Sequence, residues 1–164
     1  MTARFFFLVG FLFLVGCAAG GRTYQDQFSN ESPLSADQSR IVILRPNQSM
    51  FGALRPDISI DDLPVGSIAR GGFFFVDRSP GTFFVAAKNS TSPGKALARV
   101  RAEAGQTYYI LVEPRGSALF KGLIQLQVDA TVQDSSGLFQ LSELKENDAV
   151  PLLKNFRGGV RYPR

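Results

Sequence analysis

The sequence predicts an all-β fold, an antiparallel β-sandwich of about seven or eight short strands with a short C-terminal helix. Short runs rich in β-branched and aromatic residues are typical of strands, and residues that favour turns separate these runs. Apolar and polar residues also alternate strictly between 124 and 133, which indicates a strand with one face on a core and one in water. A chain of 164 residues has room for a single domain with a sizeable core.

The predicted strands follow one another from residue 40. The first run, "RIVILRP" at 40–46, is stopped by Pro46, and "PDISIDD" alternates Ile58 and Ile60 inward with polar neighbours outward. The run "ALARVRAEAGQTYYILVE" supplies two strands around a turn at 103–106. Between these segments, three further strands are expected at 65–69, 73–77 and 82–88, the last two joined by a Pro80-Gly81 turn.

The C-terminal third adds one strand and one helix after a loop at 114–122. The alternating strand points one set of residues to the core, namely Ile124, Leu126, Val128, Ala130 and Val132. The stretch "NDAVPLLKNF" predicts a helix capped by Asn147 or Asp148, with Pro151 in its first turn.

Composition excludes several classes of chemistry. The chain has no histidine and no tryptophan, and a single cysteine. Serine and cysteine triads that depend on histidine, and most zinc sites, are therefore not expected. We expect neither a metal nor a cofactor.

The N-terminus has the layout of a secretory signal peptide. A short positive start, Met1–Arg4, precedes an apolar block from Phe5 to Val15 and then small residues. The block breaks at Gly20-Gly21-Arg22, too early for a membrane-spanning helix of roughly 20 apolar residues.

The residues Leu14-Val15-Gly16-Cys17 end this block and resemble the lipobox of bacterial lipoproteins. The resemblance implies cleavage before Cys17 and a lipid on its sulfur, so residues 1–16 are the signal peptide. Since Ala18 stands where Asp would retain such a protein in the inner membrane, it also implies the periplasmic face of the outer membrane. The alternative is an unlipidated secreted protein in which Cys17 is an ordinary small apolar residue.

The mature chain divides into a tether and a domain. Residues 17–39 are polar and rich in Gly, Ser, Asn, Asp and Gln, which predicts a lipidated N-terminus followed by a flexible tether. Residues 40–164 form the predicted sandwich.

Three segments of the domain stand out together, namely "RIVILRP" at 40–46, "DISIDDLPVGSIARGGFFFVDRSPGTFFVAAK" at 57–88 and "AGQTYYILVE" at 104–113. They resemble a bacterial lipoprotein domain family of unknown function, DUF2846. The resemblance covers roughly residues 40–115. It departs from the family pattern at "DDLP", where a D-G hairpin turn is expected. The family brings no established activity, so it implies fold and location.

A non-catalytic role is expected for the domain. Asp61 and Asp62 are adjacent, so in a strand they would point to opposite faces and could not flank one bond as a glycosidase pair does. Other ionisable side chains are scattered along the sequence, among them Lys88, Glu103, Glu113 and Asp129. The alternative is an envelope hydrolase that uses Asp/Glu or Ser/Lys chemistry.

Aromatic residues on the predicted strands suggest a surface for a partner or ligand, formed by Phe73, Phe74, Phe75, Phe84, Tyr108 and Tyr109. Neighbouring aromatics on one strand face opposite sides. Either one side is exposed for an envelope protein, peptidoglycan or lipopolysaccharide, or both sides are covered, one by the opposite sheet and one by a loop or the helix.

Basic residues gather at the C-terminus, namely Lys154, Arg157, Arg161 and Arg164. Nucleic acid is not expected, because the sequence has no RNP-like or helix-turn-helix pattern and carries an export signal. Lipid phosphates are the more accessible anions. The alternative is a solvated, frayed tail.

Overall fold

The computed structural model describes residues 20–48, 50–116, 132–135 and 137–161. Two helices lie in these ranges, α1 (Tyr24–Asn30) and α2 (Glu146–Leu153). The strands in chain order are β1 (Ser39–Arg45), β2 (Asp57–Ile60), β3 (Leu63–Ser67), β4 (Gly72–Arg78), β5 (Gly81–Lys88), β6 (Lys95–Ala102), β7 (Thr107–Pro114), β8 (Val132–Ser135), β9 (Phe139–Leu144), β10 (Arg157–Gly158) and β11 (Val160–Arg161).

The strands form two sheets, as the sequence predicted. The first sheet has the order β10-β4-β1-β7-β9, and the second has the order β11-β3-β2-β5-β6-β8. The all-β sandwich with a short C-terminal helix is therefore confirmed. The described residues contain eleven strands, more than the seven or eight expected, because β9 and the two-residue strands β10 and β11 were not predicted. The first sheet is mixed rather than purely antiparallel, since β1 pairs with β7, and β4 with β10, in parallel.

Strand β1 is buried along its whole length. It lies in the middle of the first sheet, between β4 and β7, so it has no solvent edge. Its residues Arg40 to Leu44 alternate between the interlayer core and the outer face. Because both faces are covered, the strand is a nearly continuous apolar run instead of an alternating one.

The interlayer core lies between the two sheets. Its members include Ile41, Ile43, Ile58, Ile60, Phe74, Val76, Val85, Val100, Ile110, Val112, Phe139 and Leu141. A second cluster, here called the outer core, covers the opposite face of the first sheet. It consists of Val42, Leu44, Phe73, Phe75, Tyr109, Leu111 and Leu144 from strands, and Ala149, Leu153 and Phe156 from α2 and the turn after it.

Helix α1 lies within the segment predicted to be a flexible tether, so that prediction is wrong for residues 24–30. Thr23 caps the helix, since its side-chain oxygen accepts a hydrogen bond from the Asp26 amide. Tyr24 and Phe28, one turn apart, pack on the outer core. The helix forms because this apolar pair covers the first sheet, although the surrounding sequence is polar.

Helix α2 begins earlier than predicted. Its N-cap is Lys145, with no side-chain capping bond, so Asn147 and Asp148 lie inside the first turn instead of capping it. Pro151 is consequently the sixth helical residue and not part of the first turn. Burial of Ala149 and Leu153 holds the helix on the outer core. The acidic side chains of Glu146 and Asp148 in its first turn interact favourably with the positive end of the helix dipole.

Asp61 and Asp62 form the two-residue turn between β2 and β3. Both have positive φ, 51° and 61°, and Ile60 pairs with Leu63 across the turn. The chain therefore makes the tight hairpin without the glycine that such turns favour. Asp61 Oδ1 accepts a hydrogen bond from the Phe84 amide at 2.8 Å, which ties this turn to β5.

Part of the chain carries predictions that lie outside the described residues. These are the signal peptide, Cys17, Asp129, Arg164 and the alternating strand, apart from its last two residues, Val132 and Gln133, which begin β8. Neither α1 nor α2 is long and apolar enough to cross a membrane, and this finding concerns only the ranges given above.

Candidate functional site

The aromatic strand residues do not form the exposed surface that one interpretation predicted. Phe74 is buried in the interlayer core, whereas Phe73, Phe75 and Tyr109 are buried in the outer core. Successive residues of β4 face opposite sides, and each side is covered, one by the second sheet and one by the helices. The alternative of two covered faces is therefore correct for these four residues.

Helix α1 contributes the cover that sequence reasoning missed. The Tyr24 ring meets Phe73 edge-on at 5.4 Å between centroids, and the Phe28 ring lies 5.4 Å from Phe75. The only signal in the sequence was two aromatic residues four positions apart in a polar segment. The outer core is thus closed by a segment that precedes the predicted domain boundary.

Tyr108 and Phe84 have different surroundings from the other aromatics. Tyr108 is partly buried, and its hydroxyl accepts a hydrogen bond from the Glu103 amide at 2.9 Å. Phe84 is 43% exposed on the outer face of the second sheet, opposite Arg99 of β6. Leu63, which follows the Asp61-Asp62 turn that contacts the Phe84 amide, is 60% exposed. Of the predicted aromatic surface, Phe84 is the member that a partner can reach most readily.

The outer face of the second sheet combines this aromatic side chain with positive charge. Residues at alternate positions of β6 are buried in the core, so Arg99 and Arg101 face outward. Lys88, at the end of β5, is exposed as well. Among the side chains that the structure describes, the acidic ones on or beside this face include Asp57, Asp61 and Asp62. A partner with carboxylate or phosphate groups and an apolar portion fits such a face.

An open cleft lies at the end of the sandwich where β4 turns into β5. Its volume is about 460 Å³, and its lining is Gln38, Asp77, Arg78, Ser79, Pro80 and Phe83. The Nε atom of Arg78 is buried and has no hydrogen-bond partner among the described residues. A guanidinium beside an aromatic wall can hold a small molecule with a negatively charged group.

Asp77 on this cleft is engaged by a buried arginine. Both Nε and Nη2 of Arg40 donate to its carboxylate at 2.7 Å, while the Arg40 guanidinium lies 4.2 Å from the Phe75 ring centroid. The hydrogen bond to Asp77 raises the pKa of Arg40, against the opposing effect of burial. This bidentate pair fastens β1 to β4 and holds the Asp77 side chain in place as one wall of the cleft.

Arg45, at 1% exposure, is the other buried cation among the described side chains. It donates to the backbone carbonyl oxygens of Phe51 at 2.8 Å and Ile68 at 3.2 Å, and also to that of Leu54. Burial, together with the charge of Arg70, lowers the pKa of Arg45 to about 10. The side chain holds the loop in which Phe51 has a positive φ of 52°. In the sequence its only signal was an arginine at the end of an apolar run.

The residues considered for catalysis lie on separate elements. Asp61 and Asp62 form the β2–β3 turn, Glu103 lies in the β6–β7 turn, and Glu113 is buried in β7, where Gln48 donates to it at 3.3 Å. Lys88 ends β5. No group of three His, Cys, Asp or Glu residues suited to a metal ion occurs in the part of the chain that the structure describes.

The basic residues predicted to contact anions are only partly described. Lys154 and Arg157 are exposed, and Arg161 belongs to β11, with its side chain outside the description. The structure adds Arg22 to this group, since its carbonyl oxygen accepts a hydrogen bond from the Gly158 amide at 2.7 Å. Sequence reasoning missed Arg22 because it lay in the predicted tether.

Comparison with protein families found one match, to the model described as "Protein of unknown function (DUF2846)", over residues 35–122. The comparisons with curated proteins and with solved structures found no match. The matched range contains strands β1 to β7. The residues that line the cleft, Phe84 with its neighbours, and the buried Arg40 and Arg45 therefore all lie within it. The chain therefore belongs to the DUF2846 family of proteins of unknown function.

Proposed function

We propose that this chain is a bacterial lipoprotein whose lipidated Cys17 anchors a small, non-catalytic β-sandwich domain that binds or supports other components of the cell envelope. The observation that carries the proposal is Leu14-Val15-Gly16-Cys17 at the end of an apolar signal block. A thiol at this position is the nucleophile that accepts a lipid. The domain's membership of a family of unknown function is compatible with this role and adds no activity of its own.

A lipid anchor would suffice to keep the domain on a membrane. Each buried methylene contributes about 0.8 kcal/mol, so one acyl chain binds marginally and two or more bind stably. Ala18 after the cysteine favours the outer membrane, with the domain on its periplasmic face.

The binding part of the proposal rests on the outer face of the second sheet. An exposed aromatic ring opposite an arginine, with Lys88 and Arg101 nearby, offers apolar contact and positive charge together. Peptidoglycan, lipopolysaccharide and envelope proteins all carry carboxylate or phosphate groups that suit such a face.

The anchor is tested by labelling cells with a radioactive fatty acid. Wild-type protein should incorporate label and Cys17→Ser should not. Ala18→Asp is the matched control, because it should keep the label and move the protein to the inner-membrane fraction. Equal labelling of wild type and Cys17→Ser would refute the lipoprotein and favour a plain secreted protein.

The binding role is tested by crosslinking in the native envelope. A photoreactive residue at position 84 should capture a specific protein or glycan, whereas one at Gln25, on the exposed side of α1, is the control and should not capture that component. Equal capture at both positions would count against the Phe84 face. Turnover of an envelope polymer by purified protein would favour the hydrolase alternative.

A further inference from the structure

The backbone fixes the N-terminal segment beside β10. The Gly158 amide donates to the Arg22 carbonyl oxygen at 2.7 Å, and Thr23 forms a β-bridge with Arg157. The approach at Gly21 is so close that a Cβ there would clash with the Gly158 carbonyl oxygen. Only glycine fits this position without a backbone shift. The domain therefore holds its own N-terminal segment from Gly21 onward.

This attachment shortens the connection to the anchor. Arg22 is five residues after Cys17, so the two are at most roughly 17 Å apart at 3.3–3.6 Å per residue. A flexible tether as far as residue 39 would allow roughly 75 Å. The part of the domain around β10 is consequently the part that an anchor on Cys17 holds against the membrane.

The two segments that meet here carry only positive charge. Neither Gly20–Gln25 nor residues 149–164 contain an Asp or Glu. Within them Arg22, Lys154 and Arg157 are exposed, and these three residues are here called the basic edge. The nearest acidic side chain along α1 is Asp26, which accepts a hydrogen bond from the Thr23 hydroxyl at 2.5 Å.

We propose that the basic edge rests on the headgroup phosphates of the bilayer in which the Cys17 lipid is inserted. The inference rests on the lipoprotein proposed above and adds an orientation to it. Each Lys or Arg near an anionic membrane surface increases binding by roughly fivefold, so three exposed cations give on the order of 100-fold. The second sheet, on the other side of the interlayer core, then presents Phe84 away from the membrane.

The orientation can be measured on the lipidated protein in phosphatidylglycerol-containing vesicles. Lipidation uses the native thiol, so an introduced cysteine is the only reactive one. A fluorophore on Asn155→Cys, next to Lys154, is compared with one on Thr82→Cys, which is exposed on β5. With nitroxides on the lipid headgroups, we expect quenching at position 155 to be several times stronger than at position 82.

A charge variant separates the basic edge from the short connection alone. In the unlipidated Cys17→Ser protein, changing the basic edge to Gln at all three positions should weaken binding to the same vesicles on the order of 100-fold at low salt. The matched control changes to Gln the residues Arg55, Arg115 and Lys145, which are exposed and lie outside both the basic edge and the Phe84 face, and it should leave binding unchanged. Thermal melting of both variants verifies that each is folded.

The outcomes distinguish the two proposals. If wild-type protein that was produced under conditions in which lipoproteins are lipidated does not float with vesicles, the lipoprotein proposal fails and the orientation fails with it. If it floats but the two fluorophores are quenched equally, or if both triple variants bind alike, the anchor stands and the orientation is overturned.

Discussion

Replacing Phe28 with alanine tests whether α1 is part of the folded domain. The Phe28 ring packs 4.3 Å from the Tyr24 ring and 5.4 Å from the Phe75 ring, and the Arg40 guanidinium lies 5.4 Å from its centroid. If the segment were only a flexible tether, as its composition suggests, removal of the ring would have no effect on stability. If α1 is docked, the ring is a main contact of that docking.

The expected loss follows from these contacts. Full burial of a phenylalanine contributes about 1.5–3 kcal/mol, and Phe28 is only partly buried, so about 1.5 kcal/mol is appropriate. The aromatic and cation contacts add about 0.5 kcal/mol at a partly exposed site. The free energy of unfolding should therefore fall by about 2 kcal/mol, which lowers Tm by about 6–8 °C for a domain of this size.

Thermal melting and amide hydrogen exchange provide the assay. Phe28→Ala should lower Tm by that amount and expose the amides of residues 24–30 to exchange. Gln25→Ala, on the exposed side of the same helix, is the control and should change Tm by less than about 1 °C. Identical Tm values for the two variants would refute the docking of α1 and would also remove the fixed position of Arg22.

Three further predictions concern single interactions. Asp62→Gly should stabilise the domain by about 0.5 kcal/mol, because glycine adopts the left-handed backbone conformation without strain. Asp61→Gly should destabilise it by about 1 kcal/mol, because the Phe84 amide loses its hydrogen bond to the Asp61 carboxylate. Shifts of the denaturant midpoint in the same direction for both variants would contradict this. Asp77→Asn should lower the free energy of unfolding by about 2–3 kcal/mol, because Arg40, at 6% side-chain exposure, loses its ion pair. A loss under about 1 kcal/mol would mean that the pair contributes no more than an ion pair on the protein surface. Burial raises the pKa of Tyr109 above its usual 10.0, so the unfolded state releases this proton first and stability should fall as pH rises above about 10. Tyr109→Phe should flatten that fall in denaturant midpoints measured between about pH 8 and pH 11, and an unchanged pH profile would show that Tyr109 is not responsible.

Local patterns predicted the strands well because each pattern has one physical cause. The run "KALARVRA" alternates alanine and valine with polar or longer side chains, and β6 buries alternate residues as expected. The Asp61-Asp62 pair stands where the family pattern has a hairpin turn, and it forms that turn. What these patterns did not give was the parallel pairing of β1 with β7, since pairing partners depend on the whole chain.

The candidate surface was harder to predict because burial depends on what covers a face. The sequence "GGFFFVD" requires successive phenylalanines to face opposite sides, and it left open whether the second side was exposed. The answer depended on Tyr24 and Phe28, in a polar segment that no periodicity marks as a helix. Propensity alone cannot detect a seven-residue helix that tertiary packing stabilises.

Docking of α1 also changes where a partner can bind. A long tether would let every face of the domain reach both the membrane and the periplasm. If Cys17 carries the lipid proposed above, Arg22, which is held on β10 five residues later, keeps the α1 side near the bilayer. The Phe84 face, beyond the interlayer core, then remains free for a periplasmic component. With the photoreactive residue moved to Thr82 on the same strand, Phe84→Ala should therefore reduce envelope crosslinking without affecting vesicle binding, whereas changes to the basic edge should have the reverse effect. Equal loss of both properties in either variant would mean that one face serves membrane and partner together.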